Sequence, residues 1–289
     1  MLFHDFIELD ALTVANIVRE HGPRVVVCPI NGTRRWFELE YGDQQSADYL
    51  DITLRKYMDI FTLFFTHGVE TVLSPILGSD ILARGPEYMQ MVVPALSQIA
   101  DGEMFRQFYQ GWDVRVKFYG EYADYFAQNF PGLATALAQA KGALNGRRRL
   151  FWGMFASDPA AWISQFAVQH YAKTGAPPNR EQVVAEYYGE TVPMADMFIG
   201  SGPPTAFDYP LLDAGATALY FLQAPTPYLT QTGLRSIFFD YLYTRRVGED
   251  YSDVPETEWA EARKYYNDHA DSILGVGKNS SGGHFWFPV

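Results

Sequence analysis

Short apolar runs rich in β-branched residues alternate along the chain with longer stretches whose apolar side chains recur every three or four positions. The runs predict strands at Arg24–Ile30, Val69–Ile76, Val114–Tyr119, Arg149–Phe155, Met194–Gly200 and Thr217–Leu222. Between the first two, Leu50, Leu54, Tyr57, Met58, Phe61 and Phe65 make one helical stripe. Further helices are predicted over Glu87–Tyr109, over Tyr122–Lys141 with a break at Pro131, and over Pro159–Thr174, Arg180–Tyr187, Thr230–Tyr243 and Glu256–Ser272. Strands joined through helices form right-handed crossovers. The expected fold class is therefore α/β, with a central, mainly parallel sheet of about six strands flanked by helices. No repeat, low-complexity tract or linker divides the sequence, so residues 1–289 are expected to form one domain.

In open sheets of this kind, ligands gather beyond the carboxyl ends of the strands. Asn31–Trp36, Ser74–Arg84, Tyr119–Glu121 and Gly200–Asp208 are the segments expected there. The first carries the densest chemistry. Gly32 permits close backbone approach, Thr33 offers a hydroxyl, and Arg34 and Arg35 offer planar forks suited to phosphate oxygens. A helix starting there would add its first amides to an anion site. The rival reading of this loop is a surface turn with two solvated arginines.

Composition narrows the partners. A formal charge of −12 argues against nucleic acid, whose phosphates need a basic face, but leaves room for a local basic pocket. The single cysteine, Cys28, excludes an internal disulfide and CxxC metal sites, and its place in a strand reads as a small buried hydrophobe. The six histidines show no zinc-site spacing. No apolar run reaches the ~18 residues of a membrane span, and the amino terminus lacks a signal-peptide pattern, so a cytoplasmic location is expected. Aromatic residues, 16% of the chain, supply either a bulky core or a pocket lined with π-faces.

The run Pro29–Phe37 resembles the Asp-Gly-Asn-Gly-Arg-Trp signature of the cis-prenyltransferases, with Asn31 at the acidic position. Pro193–Met197 resembles the Pro-x-x-Asp-Leu of that family, and Ile199–Phe221 its carboxyl-terminal signature. Thr33–Phe37 with Gly32, Gly68–Ile76, Tyr187–Glu190, Ala195–Gly200, Phe207–Leu212 and Gly275–Gly277 are similar to the tuberculosinyl transferase and tuberculosinol synthase branch. The resemblance spans nearly the whole chain.

The departures from the family are as informative. Chain-elongating members hold isopentenyl diphosphate with an arginine-bearing Arg-x-Gly-Gly…Arg-x-Ser segment; here the stretch is Gly200–Ala206, without arginine, and the family's metal-binding Glu is Ala218. One diphosphate site beside an apolar cavity remains. The resemblance thus implies a diterpene synthase that ionises one allylic C20 prenyl diphosphate, open-chain or bicyclic, and ends the cation by water capture or proton loss. Transfer of the prenyl group to a nucleophile such as a nucleoside is the enzymatic rival. A prenyl-diphosphate-binding subunit with little catalysis is the reading from a different class, prompted by the missing acids.

By the same resemblance Gly32, Thr33, Arg34, Arg35, Arg84 and Arg235 bind the diphosphate, and Asn31, Arg35 and Tyr49 act in catalysis. The implied cofactor is Mg²⁺, with Asn31 and Asp208 as ligands and Glu121 behind them, although an amide is a poor ligand for a hard cation. Three accounts of Asn31 stand: arginines and another acid replace the family's Asp, the enzyme is a natural variant of low activity, or an Asp-to-Asn change was introduced. Tyr188 and Asp196 read as structural. A homodimer is implied, with Gly275–Phe287 near an active site.

Overall fold

The computed structural model describes residues 1–42, 48–140, 146–156, 158–205, 215–245 and 251–289. Two short helices, α1 (Phe3–Glu8) and α2 (Ala11–His21), precede β1 (Val25–Val27). Then come α3 (Thr33–Tyr41), α4 (Tyr49–Thr66), β2 (Thr71–Leu77), α5 (Ser79–Leu82), α6 (Pro86–Asp101), α7 (Glu103–Gly111) and β3 (Val114–Tyr119). The order continues through α8 (Ala123–Asn129), α9 (Pro131–Gln139), β4 (Arg148–Met154), α10 (Pro159–Thr174), α11 (Arg180–Tyr188), β5 (Met197–Ser201) and β6 (Ala218–Leu222). It ends with α12 (Gln231–Phe239), α13 (Glu256–Asp268) and a small antiparallel pair, β7 (Gly277–Asn279) and β8 (Trp286–Pro288).

All six predicted strands are present and pair in parallel, in the order β3-β4-β2-β1-β5-β6. Successive strand residues point to opposite faces, and both faces are covered, as a parallel sheet requires. Val26, Val72, Leu150, Trp152, Met197 and Ile199 face one apolar layer, which includes Phe61, Phe105, Leu234 and Phe238. Val25, Val27, Leu73, Phe151 and Phe198 face another, which includes Val184, Tyr187 and Tyr188. A third cluster, with Leu77, Met89, Leu96, Phe126, Leu133 and Met154, packs α6, α8 and α9 together. Cys28 is fully buried, and burial pushes its thiol up to about 12, so it is an inert small hydrophobe.

Three departures from the predicted elements have local causes. The helix expected over Glu87–Tyr109 is two helices, because Gly102 adopts an extended ψ of 142° and the Gly102 amide closes α6 on the Gln98 carbonyl. Ser74, shared by the predicted strand Val69–Ile76 and the predicted edge segment Ser74–Arg84, lies inside β2, where its hydroxyl donates to the Cys28 carbonyl at 3.0 Å. Pro75 sits next to it within a sheet strand. The ladder to β1 ends at Leu73, so its missing amide breaks no pairing on that side, and the register with β4 shifts just beyond it. The helix expected over Thr230–Tyr243 changes at Asp240 into a wider π-type turn.

β1 leads to β2 on one side and β5 leads to β6 on the other, so the crevice between β1 and β5 is the topological switch point of the sheet. No helix among the described residues is long and apolar enough to cross a membrane.

Candidate active site

The loop after β1 lies at the switch point. Its backbone turns through Gly32, which caps α3 in the left-handed region (φ 77°, ψ 18°). A Cβ at Gly32 would also come 2.9 Å from the Pro225 Cβ, so both dihedral and space require glycine. No side chain caps α3. The amides of Thr33, Arg34 and Arg35 therefore face the carboxyl edge as the unpaired donors of a helix start, with the positive end of the helix dipole behind them. Arg34 and Arg35 are exposed, and neither has an ion-pair partner among the described residues. Two exposed, consecutive arginines and the unpaired amides of a helix start thus lie next to one another at this edge of the sheet.

A strap following β6 holds this loop in place. Thr226 is fully buried, and its amide donates to the Asn31 carbonyl at 3.1 Å. Its Oγ1 accepts from the Asn31 amide at 3.2 Å and lies 3.3 Å from the Pro29 carbonyl and 3.2 Å from the Ser201 Oγ. One threonine thus ties together the ends of β1, β5 and β6. The sequence did not single it out, because a lone threonine between Pro225 and Pro227 carries no periodic signal. The Asn31 backbone is fixed on both sides, while its side-chain amide makes no hydrogen bond with the described residues.

Tyrosines line the next wall. Tyr49, at the start of α4, packs its ring edge-on against Phe37 with centroids 4.9 Å apart. Burial pushes the Tyr57 phenol well above the usual tyrosine range; Tyr49 adds to the rise, a polar contact with Thr33 opposes it, and Tyr88 adds a little more. Thr33 and the three phenols are therefore neighbours. Arg84, exposed, donates to the Tyr88 hydroxyl at 3.0 Å and pairs with Asp80 at 3.8 Å. Thr33 and Tyr49 act on Tyr57, and Arg84 reaches the same group only through Tyr88. The Tyr57 ring stacks on Trp152 at 6.2 Å, and Trp152 in turn packs edge-on against Phe61 and Phe105 within the core.

Arg235 is a correction. It is buried, and its guanidinium donates to the carbonyls of Ile7 at 2.5 Å and Leu9 at 2.6 Å and to His67 Nε2 at 3.2 Å. His67 follows α4 and precedes β2, so Arg235 works at the amino edge, away from the loop after β1. Its role is structural. Asp196 is structural as expected: Oδ2 accepts from the Arg24 and Val25 amides at 2.7 and 2.8 Å, and Oδ1 from the Tyr241 hydroxyl.

The implied Mg²⁺ finds little to hold it. Asp208 and the Phe207–Leu212 motif lie outside the described residues. Glu121 follows β3, three strands from β1, or about 14 Å at the usual strand spacing. Burial and, less strongly, Asp124 raise its carboxyl pKa. No group of three or more His, Cys, Asp or Glu side chains converges among the described residues. Asn31 contributes an amide alone, so the described donors do not fit Mg²⁺.

No family model matches the chain. It is 39% identical over 293 residues to tuberculosinyl adenosine transferase of Mycobacterium tuberculosis (strain CDC 1551 / Oshkosh), covering 98% of this chain and 97% of that one. It is 25% identical to (+)-kolavelool synthase of Herpetosiphon aurantiacus, covering 94% and 91% respectively. Among solved structures, lavandulyl diphosphate synthase from Lavandula x intermedia in complex with dimethylallyl diphosphate superposes with a TM-score of 0.59 at 12% identity, over 79% of this chain and 98% of that one. A probable undecaprenyl diphosphate synthase from Campylobacter jejuni gives 0.52 at 10% identity, over 78% and 97%. The structural likenesses show the fold; the first relative shows the kinship. The chain belongs to the tuberculosinyl transferase family, prenyl-diphosphate-processing enzymes built on the cis-prenyltransferase fold.

Proposed function

We propose that this enzyme ionises one allylic C20 prenyl diphosphate and passes the cation to a nucleoside of the adenosine type. The observation that carries this reading is the 39% identity, over almost the full length of both chains, to a protein named for that transfer. The C–O bond breaks heterolytically, its electron pair leaving with the diphosphate. Arg34, Arg35 and the α3 amides offset the charge that develops there. Tyr49 and the Tyr57–Trp152 wall face the carbon side. A lone pair of the nucleoside then forms the new bond to carbon. The loop after β5 runs through Pro203 and Pro204 without a cation, so it offers nothing to hold a second diphosphate, and chain elongation is not part of the scheme.

The relative named (+)-kolavelool synthase favours a second reading, a diterpene synthase in which water or proton loss ends the cation. Incubation with geranylgeranyl diphosphate and bicyclic C20 diphosphates, with and without adenosine, separates the two by mass spectrometry. A prenylated nucleoside is expected when adenosine is present; an alcohol or olefin regardless of adenosine selects the second reading. No diphosphate release from any C10–C20 substrate would sink both. Arg34→Ala and Arg35→Ala are each expected to lower kcat/KM roughly ten- to a thousandfold, about 1.4–4 kcal/mol of lost stabilisation.

We also propose that the enzyme is a homodimer joined through its exposed apolar carboxyl-terminal segment, and that a carboxylate restored at position 31 would create a response to Mg²⁺.

A further inference from the structure

At the amino edge of the sheet, opposite the diphosphate loop, a concavity of about 320 Å³ is lined by Arg19, Phe65, Gly68, Glu70, Arg147 and Arg148. Three guanidiniums from separate parts of the fold meet there: Arg19 in the last turn of α2, Arg147 on the approach to β4, and Arg148 as its first residue. None of the three has a carboxylate ion-pair partner among the described residues. Arg148 is held rigidly, donating to the Trp112 carbonyl at 2.8 Å with its guanidinium over the rings of Trp112 (5.2 Å) and Phe65 (5.8 Å). Among the described residues, Arg19 bonds only an amide oxygen, that of Asn16.

The negative groups nearby are few. Glu70 stands on the rim, and Asp113 accepts the Arg147 backbone amide at 3.1 Å. Burial lowers the Arg148 pKa, and the like charges of Arg19 and Arg147 lower it further, with Asp113 opposing. On a chain of net charge −12, a cationic cavity with this unrelieved repulsion is out of keeping with the rest of the surface. An anion would relieve it. Planar forks converging from several directions match tetrahedral phosphate oxygens, and the volume is within the range of small-ligand sites.

We propose that this amino-edge cavity is a second anion site, taking a small diphosphate-bearing ligand through Arg19, Arg147 and Arg148. It is independent of the proposed reaction, which uses the other edge of the sheet.

Calorimetric titration with inorganic diphosphate tests it, using an Arg34→Ala/Arg35→Ala protein in which the carboxyl-edge site is disabled. One diphosphate is expected to bind per chain. Adding Arg19→Ala/Arg147→Ala, both at exposed positions, should weaken that binding at least tenfold, while Arg147→Lys should retain most of it. A parallel titration with adenosine diphosphate identifies the source: tighter binding than inorganic diphosphate, lost in the same variants, assigns the site to a nucleotide, and equal binding assigns it to the diphosphate group itself. Absence of binding to the Arg34→Ala/Arg35→Ala protein, or affinity unchanged by Arg19→Ala/Arg147→Ala in a protein of normal circular dichroism, would overturn the proposal. Neither result bears on prenyl-diphosphate turnover, so the two proposals fail separately.

Discussion

The hydroxyl of Thr226 and the amide of Asn31 meet across 195 positions of sequence, and that contact helps to set the geometry of the loop proposed to hold the diphosphate. Valine at position 226 would keep the shape and remove the buried hydroxyl with its bonds to the Pro29 carbonyl and the Ser201 Oγ, leaving the Asn31 amide only its 3.1 Å bond to the Pro29 carbonyl. Thr226→Val is therefore expected to cost about 1–3 kcal/mol of stability. Because the loop would lose its fixed register, diphosphate release should fall at least tenfold, and Thr226→Ser should restore most of it. A drop in the urea midpoint with kcat/KM unchanged would show that Thr226 only holds the fold together. Asn31 carries the complementary prediction. Its side chain makes no hydrogen bond with the described residues, so aspartate can replace it without breaking a contact. Asn31→Asp is expected to raise turnover roughly ten- to a thousandfold in the presence of Mg²⁺, equivalent to about 1.4–4 kcal/mol. A rate and a metal response both unchanged in the variant would sink that expectation. The position of the loop was legible because Gly32, Thr33, Arg34 and Arg35 are consecutive and follow a strand. Thr226 was not, because its partners are distant in sequence and a lone threonine between prolines carries no periodic signal.

Whole elements were easier to read than single contacts. The strands stand out because a sheet covered on both faces leaves near-continuous apolar runs such as Val25–Val27 and Met197–Ile199. The helices α1 and α2 went unpredicted: the first is only six residues long, and the second mixes apolar and polar positions. Their value lies in a polar junction that no sequence pattern displays. The His67 Nδ1 lies 2.8 Å from the Leu63 carbonyl, so the network assigns the proton there, leaving Nε2 to accept from Arg235. Arg235 in turn holds the end of α1 through Ile7 and Leu9. Burial lowers the His67 pKa, the bond to Leu63 opposes this, and the Arg235 cation lowers it again. A histidine depressed in the folded state favours folding fully when it is neutral. That stability is present above the unfolded value, near ~6.5, and is lost as pH falls from there through the lower folded value. Urea midpoints should consequently drop on acidification below about pH 6.5, and His67→Gln should flatten that part of the profile. A wild-type midpoint constant from pH 7.5 to about 5 would contradict a neutral His67 in this junction.

At the scale of the molecule, the main sheet and three apolar clusters account for the burial among the described residues, and the carboxyl-terminal stretch stands outside them. The helix α13 buries none of its residues. Ile273, Leu274, Val276, Phe285, Phe287 and Val289 are all exposed, Leu274 completely. Apolar side chains gathered in so short a stretch form a patch of the kind that marks an interface. The segment is also anchored near the switch point: a Cβ at Gly275 would lie 3.1 Å from the Pro204 Cγ, in the loop after β5. A second copy covering this face would remove the apolar surface from water and stand close to the diphosphate loop, and a stable pairing requires about 800 Å² from each partner. Light scattering should give twice the 32.7 kDa chain mass at micromolar concentration. Leu274→Asp/Phe287→Asp should shift the protein to the chain mass while leaving its circular dichroism unchanged, because neither side chain supports the main core. If the partner's segment also closes the site, the same variant should lose turnover in step with dimer, and activity should fall on dilution of the wild type. A protein of single-chain mass at every concentration tested would leave the exposed face without this explanation and remove the homodimer from the proposal.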